Sequence, residues 1–203
     1  MKVLLETERM VLRPLETADI ENLLGIFSDR EAMRYYPRTK DRREAEGWVR
    51  WNRESYRRNG YGLWAAILKD SGEFAGQCGL VGQEVEGKNE VEIGYMFLKK
   101  LWERGLATEA ARACRDHGFD VLGYGRLVSL IDPENLASRR VAEKVGITLE
   151  KRTHKWGKTI CVYSVATPTV TKRSGSPRRS RPVTPSRPPR ANPVPSSNGR
   201  GDL

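Results

Sequence analysis

Three long apolar segments, "GYGLWAAILK", "FAGQCGLVGQEV" and "EVEIGYMFLK", are joined only by the short turns "DSGE" and "EGKN". Parallel neighbours need a crossover of a dozen or more residues, so segments this close in sequence pair antiparallel, as a meander. The last segment has a period of two. Val91, Ile93, Tyr95 and Phe97 fall on one face, and Glu92, Gly94, Met96 and Leu98 on the other. Glu92, a carboxylate on the face it shares with Gly94 and Met96, is the first chemical signal in the chain.

Helices and further strands flank the meander. "RMVLRPLE" alternates through Met10 and Leu12 and reads as a strand; "TADIENLLGIFSD" follows, with Thr17 as the expected N-cap and Ile20, Leu23, Leu24 and Phe27 on one helical face. The charged and aromatic stretch from Arg30 to Asn59 is broken at Pro37. There Thr39 or Asp41 is expected to cap a helix that packs through Ala45, Trp48, Trp51 and Tyr56. This insertion is a place for substrate specificity. After the meander come a helix starting near Gly105, the strand "RLVSLID", a helix from Asn135 and two strands around "TLEKRTH" and "KTICVYSVA". The order β-α-α-β-β-β-α-β-α-β-β predicts an α/β (α+β) fold, a mixed sheet with helices on both faces.

The formal net charge of +10 taken whole suggests a nucleic-acid partner, but the charge is uneven. From Pro168 onward the chain holds eight Lys or Arg against one Asp, and eight of the eleven prolines, so +7 sits in the tail and +3 remains for Met1 to Thr167. A segment of that composition, with no aromatic residue, buries too little surface to offset its ordering. We therefore expect one domain over 1–167 and a disordered basic tail over 168–203, able to make weak contact with nucleic acid or an acidic partner. Cys78, Cys114 and Cys161 have no CxxC spacing and read as small buried hydrophobes, and His117 and His154 are isolated, so no metal site is expected. No apolar run is long enough for a membrane span and "MKVLLETERM" has no secretory core, which makes the cytoplasm the expected compartment.

In "LWERGLATEAARA" a polar turn with a glycine runs into a helix whose positions Ala107, Ala110, Ala111, Cys114 and Gly118 recur at spacings of three and four. The unpaired N–H groups and positive dipole of a helix N-terminus, approached over a glycine, suit an anion. Relief of a tight turn is the plainer use of such a glycine.

"EIGYMFLKKLWERGLATEAARA" followed by "DPENLASRRVAEKVG" resembles the GNAT superfamily of acetyl-CoA-dependent N-acetyltransferases, and within it the branch of the ribosomal-protein N-terminal acetyltransferases. The resemblance runs from "LETERMVLRPLE" through "ICVYSVA" and leaves the tail outside. It implies that Arg104, Gly105, Leu106, Ala107 and Thr108 cradle the pyrophosphate of coenzyme A. Trp102 stands where the superfamily has Gln or Arg, an aromatic being usual in this branch. The resemblance also implies a mostly antiparallel sheet splayed between two parallel strands, "EVEIGYMFLK" and "RLVSLID". The pantetheine arm would lie in the gap, with backbone N–H groups of Met96, Phe97 and Leu98 towards the thioester carbonyl. Asn135 would contact that arm, and Ser138 would lie near the sulfur. Lys99, Lys100, Arg139 and Arg140 are candidates for the 3′-phosphate, with plain surface charge as the alternative.

Acyl transfer needs donors at the developing oxyanion and an unprotonated amine. A lysine amine near pKa 10.4 is almost wholly protonated at neutral pH, whereas an α-amine near 7.7 to 8.0 is partly free, so a weak base acting through water suffices for the latter. Glu92 is the candidate base, Ser138 the candidate acid and Tyr163 an alternative acid. The plainer readings are a carboxylate paired with Lys or Arg for Glu92 and a core tyrosine for Tyr163. The expected activity is direct transfer from acetyl-CoA to a primary amine, foremost a protein N-terminal α-amine and otherwise a small-molecule amine such as an antibiotic or polyamine. No Cys–His arrangement exists for an acyl-enzyme. The rival from another class is a binding protein of the same fold that has lost catalysis and docks through its tail; intact "RGLAT" and "NLAS" speak against it. Monomer and homodimer are both compatible with the sequence.

Overall fold

The structure, a computed structural model, describes residues 3–167. The basic tail expected over 168–203 lies outside the described residues.

The meander forms as its turns require. β1 (Leu5–Glu6) and β2 (Met10–Pro14) lead into α1 (Ile20–Phe27) and α2 (Arg42–Asn59), and then β3 (Leu63–Leu68), β4 (Phe74–Val85) and β5 (Lys88–Phe97) pair antiparallel in succession. The β4–β5 hairpin turns over Glu86 and Gly87, both at positive φ (50° and 75°), the backbone that matches the twist of the flanking strands. α3 (Leu106–Asp120), β6 (Arg126–Ile131), α4 (Leu136–Lys144), β7 (Thr148–Lys155) and β8 (Lys158–Ala166) complete the domain. The eight strands form one sheet in the order β1-β2-β3-β4-β5-β6-β8-β7, with β5 and β6 the parallel pair.

Both faces of the sheet are covered. On one, Trp64, Leu80, Ile93 and Leu127 pack with Ala110, Ala111 and Cys114 of α3; on the other, Leu63, Ala65 and Val81 pack with Leu23 and Phe27 of α1 and Trp48 of α2. Adjacent residues of "LWAAIL" therefore enter opposite cores, which is why that strand is apolar throughout.

Helix starts follow local chemistry, with one correction. Asp41 caps α2, accepting from Glu44 N–H at 2.9 Å while Glu44 Oε2 accepts from Asp41 N–H at 3.1 Å. Thr17 does not cap α1. Thr17–Asp19 form a 3-10 turn, and Asp19, 1% exposed, accepts from Glu16 N–H at 2.8 Å and from both terminal nitrogens of Arg13 at 2.7 and 2.8 Å. A buried carboxylate held by a bidentate guanidinium organises this turn more strongly than an exposed hydroxyl can.

Candidate active site

β5 has two unlike edges. Towards β4, Leu98 N–H donates to Ala75 C=O at 2.9 Å, and Met96 stands opposite Gln77 two residues earlier. An antiparallel ladder repeats every two residues, so Met96 and Leu98 spend their N–H groups on β4, and Tyr95 and Phe97 turn theirs to the other edge. Of the three N–H groups expected at a thioester carbonyl, only that of Phe97 faces the gap. The N–H of Tyr95, two residues earlier, faces the same gap.

Towards β6 the ladder stops. The strands pair once, Glu92 opposite Val128. In a continuing parallel ladder the next rung would join Leu130 N–H to Ile93 C=O. Instead Leu130 N–H donates to Glu92 Oε1 at 3.3 Å, and Ile93 C=O accepts from Ser129 Oγ at 3.1 Å. Each half of the missing rung is satisfied by a side chain, so the strands part without orphaning a buried backbone group. Further out, the Tyr95 hydroxyl crosses the gap and donates to the Ser138 carbonyl at 2.9 Å.

Glu92 sits at this break without a direct Lys or Arg partner among the described residues. Its Oε2 accepts from Gln83 Nε2 at 2.8 Å. Burial drives its pKa up to about 7, outweighing the bonds from Leu130 and Gln83 and the charge of Lys155, which pull it down. Tyr36, in the loop between α1 and α2, is raised to about 12, by burial first and the nearby Glu92 second, yet 44% of its surface is open. Burial also raises the Tyr95 hydroxyl, with Tyr36 and Glu92 both in electrostatic reach.

The α1–α2 loop straps this region. Glu31 pairs with Lys99, just after β5. Tyr35 donates its hydroxyl to Glu134 C=O at 3.1 Å and accepts on its carbonyl from Lys158 Nζ at 2.6 Å, which also meets Asp132 Oδ2 at 2.6 Å, just after β6. The loop thus joins the ends of the two diverging strands.

The glycine turn that leads into α3 lies at the end of β5. Gly105 precedes α3 at φ +79°, and Glu103 is at +62°. The first helical bond runs from Glu109 N–H to Gly105 C=O at 3.0 Å, so the N–H groups of Leu106, Ala107 and Thr108 have no upstream helical partner. Arg9 locks the turn from the start of β2, giving Nη1 to Arg104 C=O at 2.8 Å and Nε to Glu109 Oε2 at 2.7 Å. Trp102 Nε1 donates to Phe97 C=O at 2.8 Å and ties the turn to the strand. Glu103 is exposed, which keeps its charge in solvent. Open donors and a bare α-carbon at position 105 fit a pyrophosphate. Lys99 and Lys100 are engaged by Glu31 and Glu73, and Arg139 by Tyr163 and Pro133 C=O; Arg140 is exposed.

α4 begins at the gap. Asn135 Oδ1 caps it by accepting from Ser138 N–H at 3.1 Å, which leaves the amide nitrogen for other contacts, and the Tyr95 bond holds Ser138 against β5. Tyr163 is placed differently from the expectation of an acid. It lies on β8, with β6 between it and β5, is 1% exposed, and accepts from Arg139 Nε at 2.8 Å, the arrangement of a core tyrosine. Among the described residues no group of three His, Cys, Asp or Glu side chains is placed to hold a metal ion. Tyr95, Ser129, Arg9 and Lys158 went unread in the sequence because their partners are remote in the chain.

The profile of the acetyltransferase (GNAT) domain matches residues 9–148. The Bacillus subtilis protein YkkB is 47% identical over 163 residues, covering 80% of this chain and 95% of that protein. An acetyltransferase from Agrobacterium tumefaciens, solved by crystallography, superposes with a TM-score of 0.71 at 28% identity over 82% of this chain and 95% of its own. A ribosomal-protein α-N acetyltransferase in complex with coenzyme A shares the fold, with a TM-score of 0.66 at 19% identity over 81% of this chain and 98% of its own. With its interrupted β5–β6 ladder and open-ended α3 turn, the chain belongs to the GNAT acetyltransferase family.

Proposed function

We propose that the protein moves an acetyl group from acetyl-CoA directly to a primary amine, foremost a protein N-terminal α-amine. The observation that carries this reading is Glu92, a carboxylate raised to about 7 at the point where β5 leaves β6. A base of that pKa is matched to an α-amine of 7.7 to 8.0 and poorly matched to a lysine amine.

The two faces of β5 divide the work. The amine arrives on the Glu92 side, beneath the strap carrying Tyr35 and Tyr36, and loses its proton to Glu92 through water. The N–H groups of Tyr95 and Phe97 meet the thioester carbonyl as it gains charge. Ser138, on the α4 side, stands by the departing thiolate, with Asn135 on the pantetheine arm and Arg104 to Thr108 around the pyrophosphate. A polyamine is the weaker acceptor, because Lys155 acts on Glu92 and Lys158 occupies Asp132, leaving cations where its further ammonium groups would need anions. The complete cradle supports an enzyme over a binding protein that docks through its basic tail.

The test is thiol release from acetyl-CoA with a panel of peptide N-termini, polyamines and aminoglycosides, followed by mass analysis of the acceptor. A peptide acetylated at its α-amine, with kcat/KM rising as pH passes about 7, is the expected result. Release with a polyamine alone would move the reading to small molecules, and no release with any amine would overturn it.

A further inference from the structure

We propose that Ser129 and Tyr95 are positioning residues that hold the β5–β6 slot open before any ligand arrives. This rests on the coenzyme reading above and adds how the slot is kept from closing. Two parallel strands that have already formed a bridge tend to extend it, because each new rung satisfies two backbone groups. Here the next rung, Leu130 N–H to Ile93 C=O, is pre-empted on both halves. The Ser129 hydroxyl occupies the carbonyl at 3.1 Å and the Glu92 carboxylate occupies the N–H at 3.3 Å. Ser129 is 2% exposed and has no access to bulk water to satisfy its hydroxyl, so the Ile93 bond fixes it. Further along β5 the Tyr95 phenol reaches the Ser138 carbonyl of α4 at 2.9 Å. Ser129 and Glu92 thus block the next rung, and Tyr95 ties β5 to α4 where the strands have parted.

The ligand class such a slot takes is an extended, amide-bearing arm that pairs with the free β5 edge, where Tyr95 and Phe97 face outward. Glu92 also has a chemical role in the proposed reaction, so the proposal is separable at Ser129 and Tyr95. Losing the Ser129 hydroxyl leaves Ile93 C=O seeking a donor. The donor a continued parallel ladder would supply is Leu130 N–H, and taking it advances the ladder by one rung into the slot.

Isothermal titration of the full chain with acetyl-CoA and, separately, ADP tests this. ADP occupies the turn at Gly105 and has no arm for the slot. Ser129→Ala is expected to weaken acetyl-CoA about 10-fold and Tyr95→Phe about 5-fold, in line with one hydrogen bond each, while ADP changes less than about 2-fold and the melting temperature of the ligand-free protein holds. Ser129→Thr, which keeps the hydroxyl, restores acetyl-CoA binding. Acetyl-CoA affinity unchanged in both variants overturns the proposal, as does tighter binding in Tyr95→Phe, which would make the phenol a gate. Equal loss for both ligands in Tyr95→Phe also overturns it, since the residue would then be supporting the domain at large. A wild-type protein that binds neither ligand overturns the coenzyme reading beneath it and the slot with it.

Discussion

The two edges of β5 are made from the same ten residues and do opposite things. Against β4 the strand is stitched along its length, from Lys88 opposite Val85 to Phe97 opposite Gly76. Against β6 it pairs at Glu92 alone and then parts. The stitched edge gains stability from every rung. The open edge gives up rungs and, with them, gains backbone donors aimed into a gap. The difference teaches that the chemistry of this fold is concentrated where its regular structure is interrupted, and that the interruption is itself built from side chains.

Substitutions separate the edges. The largest effect is expected at the break, where Glu92→Gln lowers kcat by about 10²- to 10⁴-fold, the range for a lost general base, and removes the rise in rate through about pH 7, while acetyl-CoA affinity stays within a few-fold. The same variant has a stability signature. Because folding raises the Glu92 pKa from 4.5 to about 7, the wild type is spared any cost below about 4.5 and loses stability as pH rises through about 7. Glu92→Gln should therefore gain on the wild type over that window, by on the order of 3 kcal/mol at pH 8. A pH-independent difference in melting temperature would mean that the carboxyl ionises normally.

On the stitched side the order of effects reverses. A Cβ at Gly76 would collide with the Met96 C=O oxygen and lie 2.7 Å from Phe97 Cα, both backbone atoms of β5 that cannot swing aside. Gly76→Ala is expected to cost about 3 kcal/mol in chemical denaturation, with kcat of the folded fraction nearly unchanged. A kcat loss larger than the stability loss would show that the two edges are coupled.

The smallest effect is expected at the strap. Lys158→Met removes the pair with Asp132 and the bond to Tyr35 C=O, and both side chains of that pair are partly solvated at 36% and 16% exposure. Stability should fall by no more than about 1 kcal/mol. The KM for the amine should rise about 3-fold with the KM for acetyl-CoA unchanged, and the opposite split would place the strap on the coenzyme.

Much of this was legible in the chain. The meander followed from turn length, the α2 start from Asp41 and Glu44, and the α3 start from Gly105 ahead of a small-residue helix face, because each is a relation between residues near one another in sequence. Thr17 misled because the side chain that organises that turn, Asp19, is chosen by a partner on the preceding strand, Arg13. Met96 and Leu98 misled for a related reason: alternation gives the face of a side chain, whereas the edge to which an N–H turns depends on which strand is bonded there.

The sequence by itself determined the order of elements from β2 onward, the family and the presence of a carboxylate, Glu92, on the strand face it shares with Gly94 and Met96, but not the short strand β1 that pairs with β2. Only the tertiary structure decided that Glu92 meets Leu130, that Ser129 holds Ile93, that Tyr95 reaches Ser138 and that Arg9 locks the turn at Arg104 and Glu109. Local pattern reports what a residue prefers within a turn or two of chain. A broken ladder exists only once strands some thirty-six residues apart, as Ile93 and Ser129 are, have been brought side by side, and each group left unpaired must then find whatever side chain the fold has placed within reach.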